Sequence, residues 1–447
     1  MAVRLTSPAV VAAAGVACLA VAVVSVAAPG HHHRPAGTPT QLPPAATTAA
    51  NATTGGGVTA ASIARTQQHL RQVPRDWTAW ASLGADYVEQ ARLTVDPTYY
   101  PKAQAALARS FALQPRGNFI ACAGSAALAA ARHQFRAALR FAEQGLRIDP
   151  QNAVLEGVRS DALTQLGRYS AAAAAARRME LLRPGSDAEA RLSYAAELRG
   201  DRAAARAFMR LALRHAVDGS DVAFARYYLG DLALHEGRPA AALTQYRQAL
   251  AADPTYVAAR EGIAKADAAL GRSAAAVQEF ARVVALVPQP AYVLEYGELL
   301  QSLGRSAAAA RQYALFRTEE RLFAANGVTL DTDETLFEAD HGDVTTALRV
   351  GRAALRTRPF LESDDAYAWA LHRAGRDRAA LRFADRALAT GMRNALFRYH
   401  HGVIQHALGD DVAARNDLRA ALRIDPQFSP LAAPRARQLL AAIGRSA

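Results

Sequence analysis

The sequence predicts an all-α protein, an α-solenoid of about ten helical hairpins. Three observations predict it. The phrase "LGRSAAAVQEF" at 270–280 returns as "LGRSAAAARQY" at 303–313, with an earlier variant, "LGRYSAAAAAA", at 166–176. A glycine is followed by a proline 17 residues later at Gly167/Pro184, Gly237/Pro254, Gly271/Pro288, Gly342/Pro359 and Gly409/Pro426. Five residues after each turn stands an alanine: Ala103, Ala138, Ala172, Ala205, Ala242, Ala276, Ala309, Ala347, Ala380 and Ala414. Glycine takes the left-handed cap conformation without steric cost, proline stops the following helix, and a small residue lets two helices cross closely. Each unit is therefore a hairpin, and stacked hairpins bury faces that none could bury alone.

From the N-terminus, residues 1–30 read as a signal peptide or membrane anchor. Arg4 precedes an unbroken small-apolar run from Ala9 to Val24, long enough to span a bilayer, and Ser25 and Ala27 fit the small-residue cleavage pattern. Cys18 lies in this run, but Gly15 stands where lipoprotein signals carry leucine. Residues 31–62, rich in Pro, Thr, Gly and Ala, carry too little apolar surface to fold and read as a disordered linker. His31 to His33 sit at its start.

The repeat array is expected over 63–428. Allowing the turn glycine to vary adds Thr98 with Pro115 and His133 with Pro150. Gly200 and Gly375 fit with Val217 and Met392 in the proline position, and Gly304 opens a unit whose second helix runs on. The turns then fall at 98, 133, 167, 200, 237, 271, 304, 342, 375 and 409, giving units of 33 to 38 residues. Nine residues after the turn a larger apolar residue often follows, as at Leu107, Met209, Tyr246, Phe280 and Tyr313, one helical turn further along the same face. Residues 429–447, with Leu439, Leu440 and Ile443 among arginines, read as a capping helix.

The first unit carries Trp80, Leu83, Gly84 and Tyr87, and a middle unit carries Leu229, Gly230, Ala242, Tyr246, Ala249 and Pro254. This pattern resembles the tetratricopeptide repeat, over roughly residues 76–426. The arginine and alanine bias looks like that of a GC-rich genome, so the resemblance is to an exported protein of actinobacterial type. It implies architecture and a binding role and leaves the chemistry open.

Charge and cysteine content narrow the function. The net charge is +12, almost all from arginine, since Lys102 and Lys265 are the only lysines. The arginines are scattered one or two per helix, as on solvated faces, and no specific nucleic-acid partner is implied. Cys122 is the only cysteine after the N-terminal segment, in an apolar helix where a buried small hydrophobe is expected.

No catalytic, metal or cofactor motif emerges: His235 and Glu236 lack a second histidine, and no phosphate-cradling glycine loop follows a strand. His400, His401 and His406 do not share one helix face as residues three or four apart would. Asp343, beside Gly342, is placed to cap the next helix.

In the resembled family the first helix of each hairpin lines a concave groove. Counting back from the turns, the groove candidates are Tyr227, Asp231, His235, Glu261, Lys265, Glu298, Trp369, His372, Arg373, Tyr399 and His406. The 38-residue unit between Gly304 and Gly342 breaks the rhythm just before the helices carrying Trp369 and Tyr399, so the partner site is expected in the C-terminal half, centred on Trp369. The expected function is a non-enzymatic extracytoplasmic scaffold, secreted or membrane-anchored, that binds a protein or peptide. It would meet the membrane only through an uncleaved N-terminal segment. The alternatives are a module for an anionic polymer such as wall polysaccharide or nucleic acid, or an accessory of a metal-handling envelope system. No cofactor is expected. Because solenoid contacts join neighbours, unfolding is expected to be gradual.

Overall fold

The structure, a computed structural model, describes residues 55–329 and 332–445. Residues 1–30, read above as signal or anchor, lie outside these, as does most of the linker. Among the described residues there are twenty-two helices. Helix α1 (Gly55–Gln72) begins inside the stretch read as linker and lays Ile63 and Leu70 on the first hairpin. The hairpins are α2 (Trp77–Thr94) with α3 (Tyr99–Leu113), α4 (Phe119–Ala131) with α5 (Phe135–Ile148), α6 (Ala153–Gln165) with α7 (Tyr169–Leu182), α8 (Ser186–Glu197) with α9 (Arg202–Arg214), and α10 (Gly219–Leu234) with α11 (Pro239–Ala252). They continue as α12 (Val257–Ala269) with α13 (Ser273–Leu286), α14 (Pro290–Ser302) with α15 (Ser306–Ala325), α16 (Thr332–His341) with α17 (Val344–Thr357), α18 (Leu361–Arg373) with α19 (Asp377–Leu388), and α20 (Ala395–Ala407) with α21 (Asp411–Ile424). Helix α22 (Ala432–Arg445) caps the stack, with Ile443 buried and Leu439 and Leu440 half-buried against the last hairpins.

All ten turns fall between the paired helices, as the glycine–proline register requires. The ten alanines five residues after them are each at most 3% exposed. A larger side chain there would have to displace the facing helix. Gly167, Gly200, Gly237, Gly271, Gly304, Gly375 and Gly409 have φ between 67° and 85°, where a Cβ is strained. Asp343 accepts from the Thr346 backbone N–H at 2.8 Å and caps α17 as expected. The second helix of the seventh unit runs to Ala325, and the C-terminal ends of α9 and α19 precede Val217 and Met392.

Neighbour packing is only part of the fold, because the superhelix comes back onto itself. The turn of each of the first five hairpins rests on the loop that follows the hairpin five units later. Val95, in the first turn, packs with Val287 and Tyr292 beside the α13–α14 loop. In the second turn the Arg132 carbonyl accepts from the Thr329 N–H at 3.0 Å, and the Gln134 amide donates to the Gly327 carbonyl at 3.1 Å. In the third, a Cβ on Gly167 would collide with the Pro359 carbonyl, Arg358 donates to Gln165, and the Leu361 N–H donates to the Tyr169 hydroxyl at 3.0 Å. In the fourth, Gly200 abuts the Gly391 carbonyl and Arg202 donates to the Arg393 carbonyl at 3.3 Å. In the fifth, a Cβ on Gly237 would lie 2.7 Å from the Pro426 ring.

These steps join residues 189 to 197 apart in sequence through side chains and loop backbone. The turn edge of one gyre is thus stacked on the loop edge of the next. The expectation that contacts join only adjacent hairpins is corrected here: the summed rotation of about five hairpins closes one superhelical turn, and exposed loop N–H and C=O groups find partners across it.

Candidate functional site

Closing the gyres leaves a cavity of about 350 Å³ on the superhelix axis. One wall comes from α8, α10, α12 and α14 in the fourth to seventh hairpins. The other comes from α16, α18 and α20, and the loops carrying Arg393 and Asp425 help to close it. First helices therefore supply most of the lining, because they are the inner layer of every hairpin.

Tyr227, Asp231 and His235 are spaced four apart and present one stripe of α10 to the space. Glycine keeps that stripe close-packed behind: Gly230 and Gly262 both rest against the ring of Tyr246, where a Cβ would fall 2.5 Å from the ring. The Tyr246 hydroxyl donates to Asp231 Oδ1 at 2.6 Å. Lys265 reaches in from α12, with Glu261 at 2.9 Å and Glu295 at 3.2 Å. Burial works against its ammonium, but the carboxylates of Glu261, Glu295 and Asp231 hold its pKa well above that of an ordinary lysine. Burial pushes the Asp231 carboxyl up despite Lys265 and His235 nearby, and pushes Glu295 well up despite Lys265. Burial also works against protonating His235, yet Glu197 at 3.7 Å leaves its pKa raised.

On the opposite wall, Asp365 accepts from or donates to His400 Nδ1 at 2.9 Å through Oδ2, according to which partner carries the proton. Tyr194 borders the cavity between Glu197 and Glu362. Leu232, Leu336, Leu396, Phe397 and Phe428 supply apolar surface between the charged groups.

Of the eleven sequence candidates, the structure brings Tyr227, Asp231, His235 and Lys265 together in this cavity, with Glu261 fully buried behind Lys265. The others lie elsewhere. Glu298 pairs with His341 at 3.3 Å, one helical turn from Glu295, which faces the cavity instead. His372 pairs with Asp377 at 2.6 Å, Arg373 is exposed with Asp340 at 3.9 Å, and His406 is exposed with Asp411 at 2.6 Å.

Trp369 and Tyr399, expected as exposed anchors, are 3% and 4% exposed. Trp369 stacks on His400 at 4.2 Å between ring centres, meets Tyr399 at 5.9 Å, and donates from Nε1 to Asp340 at 3.0 Å. Both rings pack between successive first helices, where the largest side chains fill the gap between hairpins. The C-terminal wall is instead carried by Glu362, Asp365, Leu396 and Phe397, none of them among the groove candidates.

The histidines weighed for metal are taken up by carboxylates: His400 by Asp365, and His401 by Asp417 at 2.6 Å and Asp385 at 3.1 Å. Among the described residues, no three His, Cys, Asp or Glu side chains converge closely enough to hold a metal ion. Cys122 is fully buried, and burial pushes its thiol up to about 11, as expected of an inert core cysteine. Among the described residues no helix is long and apolar enough to cross a membrane.

Residues 233–295, spanning the Lys265 side of the cavity, match the tetratricopeptide repeat family. Among solved structures, the chain is similar to a tetratricopeptide repeat protein from Parabacteroides merdae, at 16% identity over 58% of this chain and 98% of that one, with a TM-score of 0.34. It is similar to a chain of the Cut9–Hcn1 hetero-tetramer of the APC/C at 14% identity over 86% and 81%, with a TM-score of 0.41. A human IFIT1 dimer with PPP-AAAA is similar at 14% identity over 74% and 77%, with a TM-score of 0.45. No curated protein matches the sequence.

Proposed function

We propose that this tetratricopeptide-repeat chain is a non-enzymatic scaffold that works outside the cytoplasm and receives a protein or peptide partner in the axial cavity. The observation that carries the reading is the cavity itself: about 350 Å³ left between two gyres that otherwise meet turn against loop. That volume lies in the range of small ligand sites, about 300 to 1,000 Å³. Its lining alternates aromatic and aliphatic surface with hydrogen-bonding groups, the composition that holds a side chain by its stem and its polar end. Helices position most of the lining, so the site is largely preformed and binding has little to order.

Localisation rests on the sequence of residues 1–30, whose apolar run and small residues fit export. Carboxylates dominate the cavity, which disfavours an anionic polymer there.

The test is capture of partners from an envelope extract by the full chain and by Leu396→Trp, which fills the cavity from the α20 wall. The proposal expects the variant to keep its helicity and lose the captured partner. Unchanged capture would place the binding surface elsewhere. A reporter fused after Ser62 should be active outside the cytoplasm, and activity confined to the cytoplasm would contradict the localisation.

A further inference from the structure

Each gyre of the superhelix has a turn edge and a loop edge, and the seam between the gyres uses one of each. The turn edge of the first five hairpins lies on the loop edge of the last five. Two edges are left over: the first gyre's loop edge, after α3, α5, α7, α9 and α11, and the second gyre's turn edge, at Gly271, Gly304, Gly342, Gly375 and Gly409. A Cβ at Gly271, Gly304, Gly375 or Gly409 would meet no described atom beyond the turn within 4 Å. The open edges are thus the two kinds of surface that the chain already packs together inside itself.

Apolar side chains gather on them. Nine large hydrophobics are exposed among the described residues, and six stand on these edges: Ile148, Leu181 and Val217 on the loop edge, Leu303, Leu408 and Val412 on the turn edge. Val217 and Met392 hold the same place in their hairpins, 17 residues after Gly200 and Gly375. Met392 lies in the seam and packs on the cluster of Leu198, Phe360 and Phe397, whereas Val217 is 86% exposed. What differs between them is whether another gyre covers the loop. The polar contacts of the seam recur in the same way. Arg136, three residues after His133, donates across the seam to the Arg356 carbonyl at 3.1 Å, and Arg378, three residues after Gly375, is exposed on the open turn edge. Helix α22 covers the side of the tenth hairpin but not its turn, where Leu408 and Val412 stay exposed.

We infer that a second copy of this chain seats its first-gyre loop edge on the second-gyre turn edge, so that copies stack head to tail and the superhelix continues from one to the next. The contact between copies repeats the seam within each copy and takes the apolar edge residues out of water. Its two surfaces differ, so the pairing is heterologous and each pair keeps an open edge at either end for a further copy. Within one chain the intervening hairpins hold the two edges at high effective concentration. Between chains that advantage is missing, so stacking rises with protein concentration. The inference is independent of what the axial cavity binds.

Analytical ultracentrifugation of the full chain over a range of concentrations tests it. The weight-average mass should rise with concentration, through the dimer to larger species. Leu181→Asp with Val217→Asp disables the loop edge, and Leu303→Asp with Val412→Asp disables the turn edge. Each double variant alone should be monomeric, and a mixture of the two should give a dimer and nothing larger, because each supplies the edge that the other lacks. Arg247→Glu, exposed midway along α11 and on neither edge, should associate as the unchanged chain does. Circular dichroism confirms that every variant keeps its helices.

A chain that stays monomeric throughout the range overturns the inference, whatever else those edges carry. Association that survives in either double variant alone overturns it too, since that would be a symmetric pairing or a contact elsewhere. So does a mixture of the double variants that forms no dimer, or equal loss of association in Arg247→Glu.

Discussion

The same left-handed glycine turn meets different surroundings in the two halves of the superhelix. At Gly167, Gly200 and Gly237 it is pressed against the backbone or proline ring of the following gyre. At Gly271, Gly304, Gly375 and Gly409, with φ in the same range, no described atom beyond the turn lies within 4 Å of where a Cβ would stand. The first five turns are therefore interior, and the later ones form a free edge. The difference teaches that this solenoid is not one-dimensional: hairpins half a chain apart share an interface, and the axial cavity exists because they do.

Four changes sharpen or break that comparison. Trp369→Ala should have the largest effect, a loss of about 3 to 5 kcal/mol in urea unfolding, because it empties the space between successive hairpins of the second gyre. Cost near zero would return Trp369 to the surface.

Alanine substitutions at turn glycines come next. All of them incur the left-handed penalty of about 1 to 2 kcal/mol. Gly167→Ala and Gly200→Ala should cost about 1 to 3 kcal/mol beyond Gly271→Ala and Gly375→Ala, since only the former push a methyl into the neighbouring gyre. Tyr169→Phe leaves the Leu361 N–H without its acceptor and should cost about 1 to 3 kcal/mol in the same assay.

The smallest effect is one of pH. Burial pushes the Asp364 carboxyl up to about 6, although Arg386 at 2.9 Å opposes the shift. The folded state therefore holds more protons than the unfolded state between about pH 4 and pH 6, and this residue's contribution to stability falls as pH rises through that window. Asp364→Asn should remove that part of the slope. Urea midpoints for both proteins at either end of the window measure it, and parallel curves would contradict it.

Much of the hairpin architecture was legible because its signals are local. A glycine, an alanine five residues on and a proline after the second helix fix five of the ten units, the alanine carries the register through the others, and Asp343 announces its capping role from beside Gly342. The stripe Tyr227, Asp231, His235 was legible too, because four-residue spacing on a first helix points to one face.

The gyre contacts were not, since they depend on small rotations summed over about five hairpins. The turn glycines hide them as well: Gly200 and Gly375 look alike in sequence because each needs a positive φ, whatever lies beyond. Trp369 misled for a related reason. A large aromatic on a first helix suits a groove anchor or a wedge between hairpins equally well, and only the packing of Tyr399 and His400 around it decides. On the far wall, Glu362 and Asp365 stand near the start of α18, where acidic residues are ordinary helix-start residues.

Hydrogen exchange on Gly200→Ala tests most directly whether the two gyres are one packed body. The substitution lies in the fourth hairpin, and the loop it would push against precedes α20, almost two hundred residues away in sequence. The closed superhelix predicts faster exchange in α8 and α9 and, in the same protein, in the loop at 389–394 and in α20, with Gly375→Ala leaving α8 and α9 unchanged. Faster exchange confined to the fourth hairpin and its immediate neighbours would contradict it.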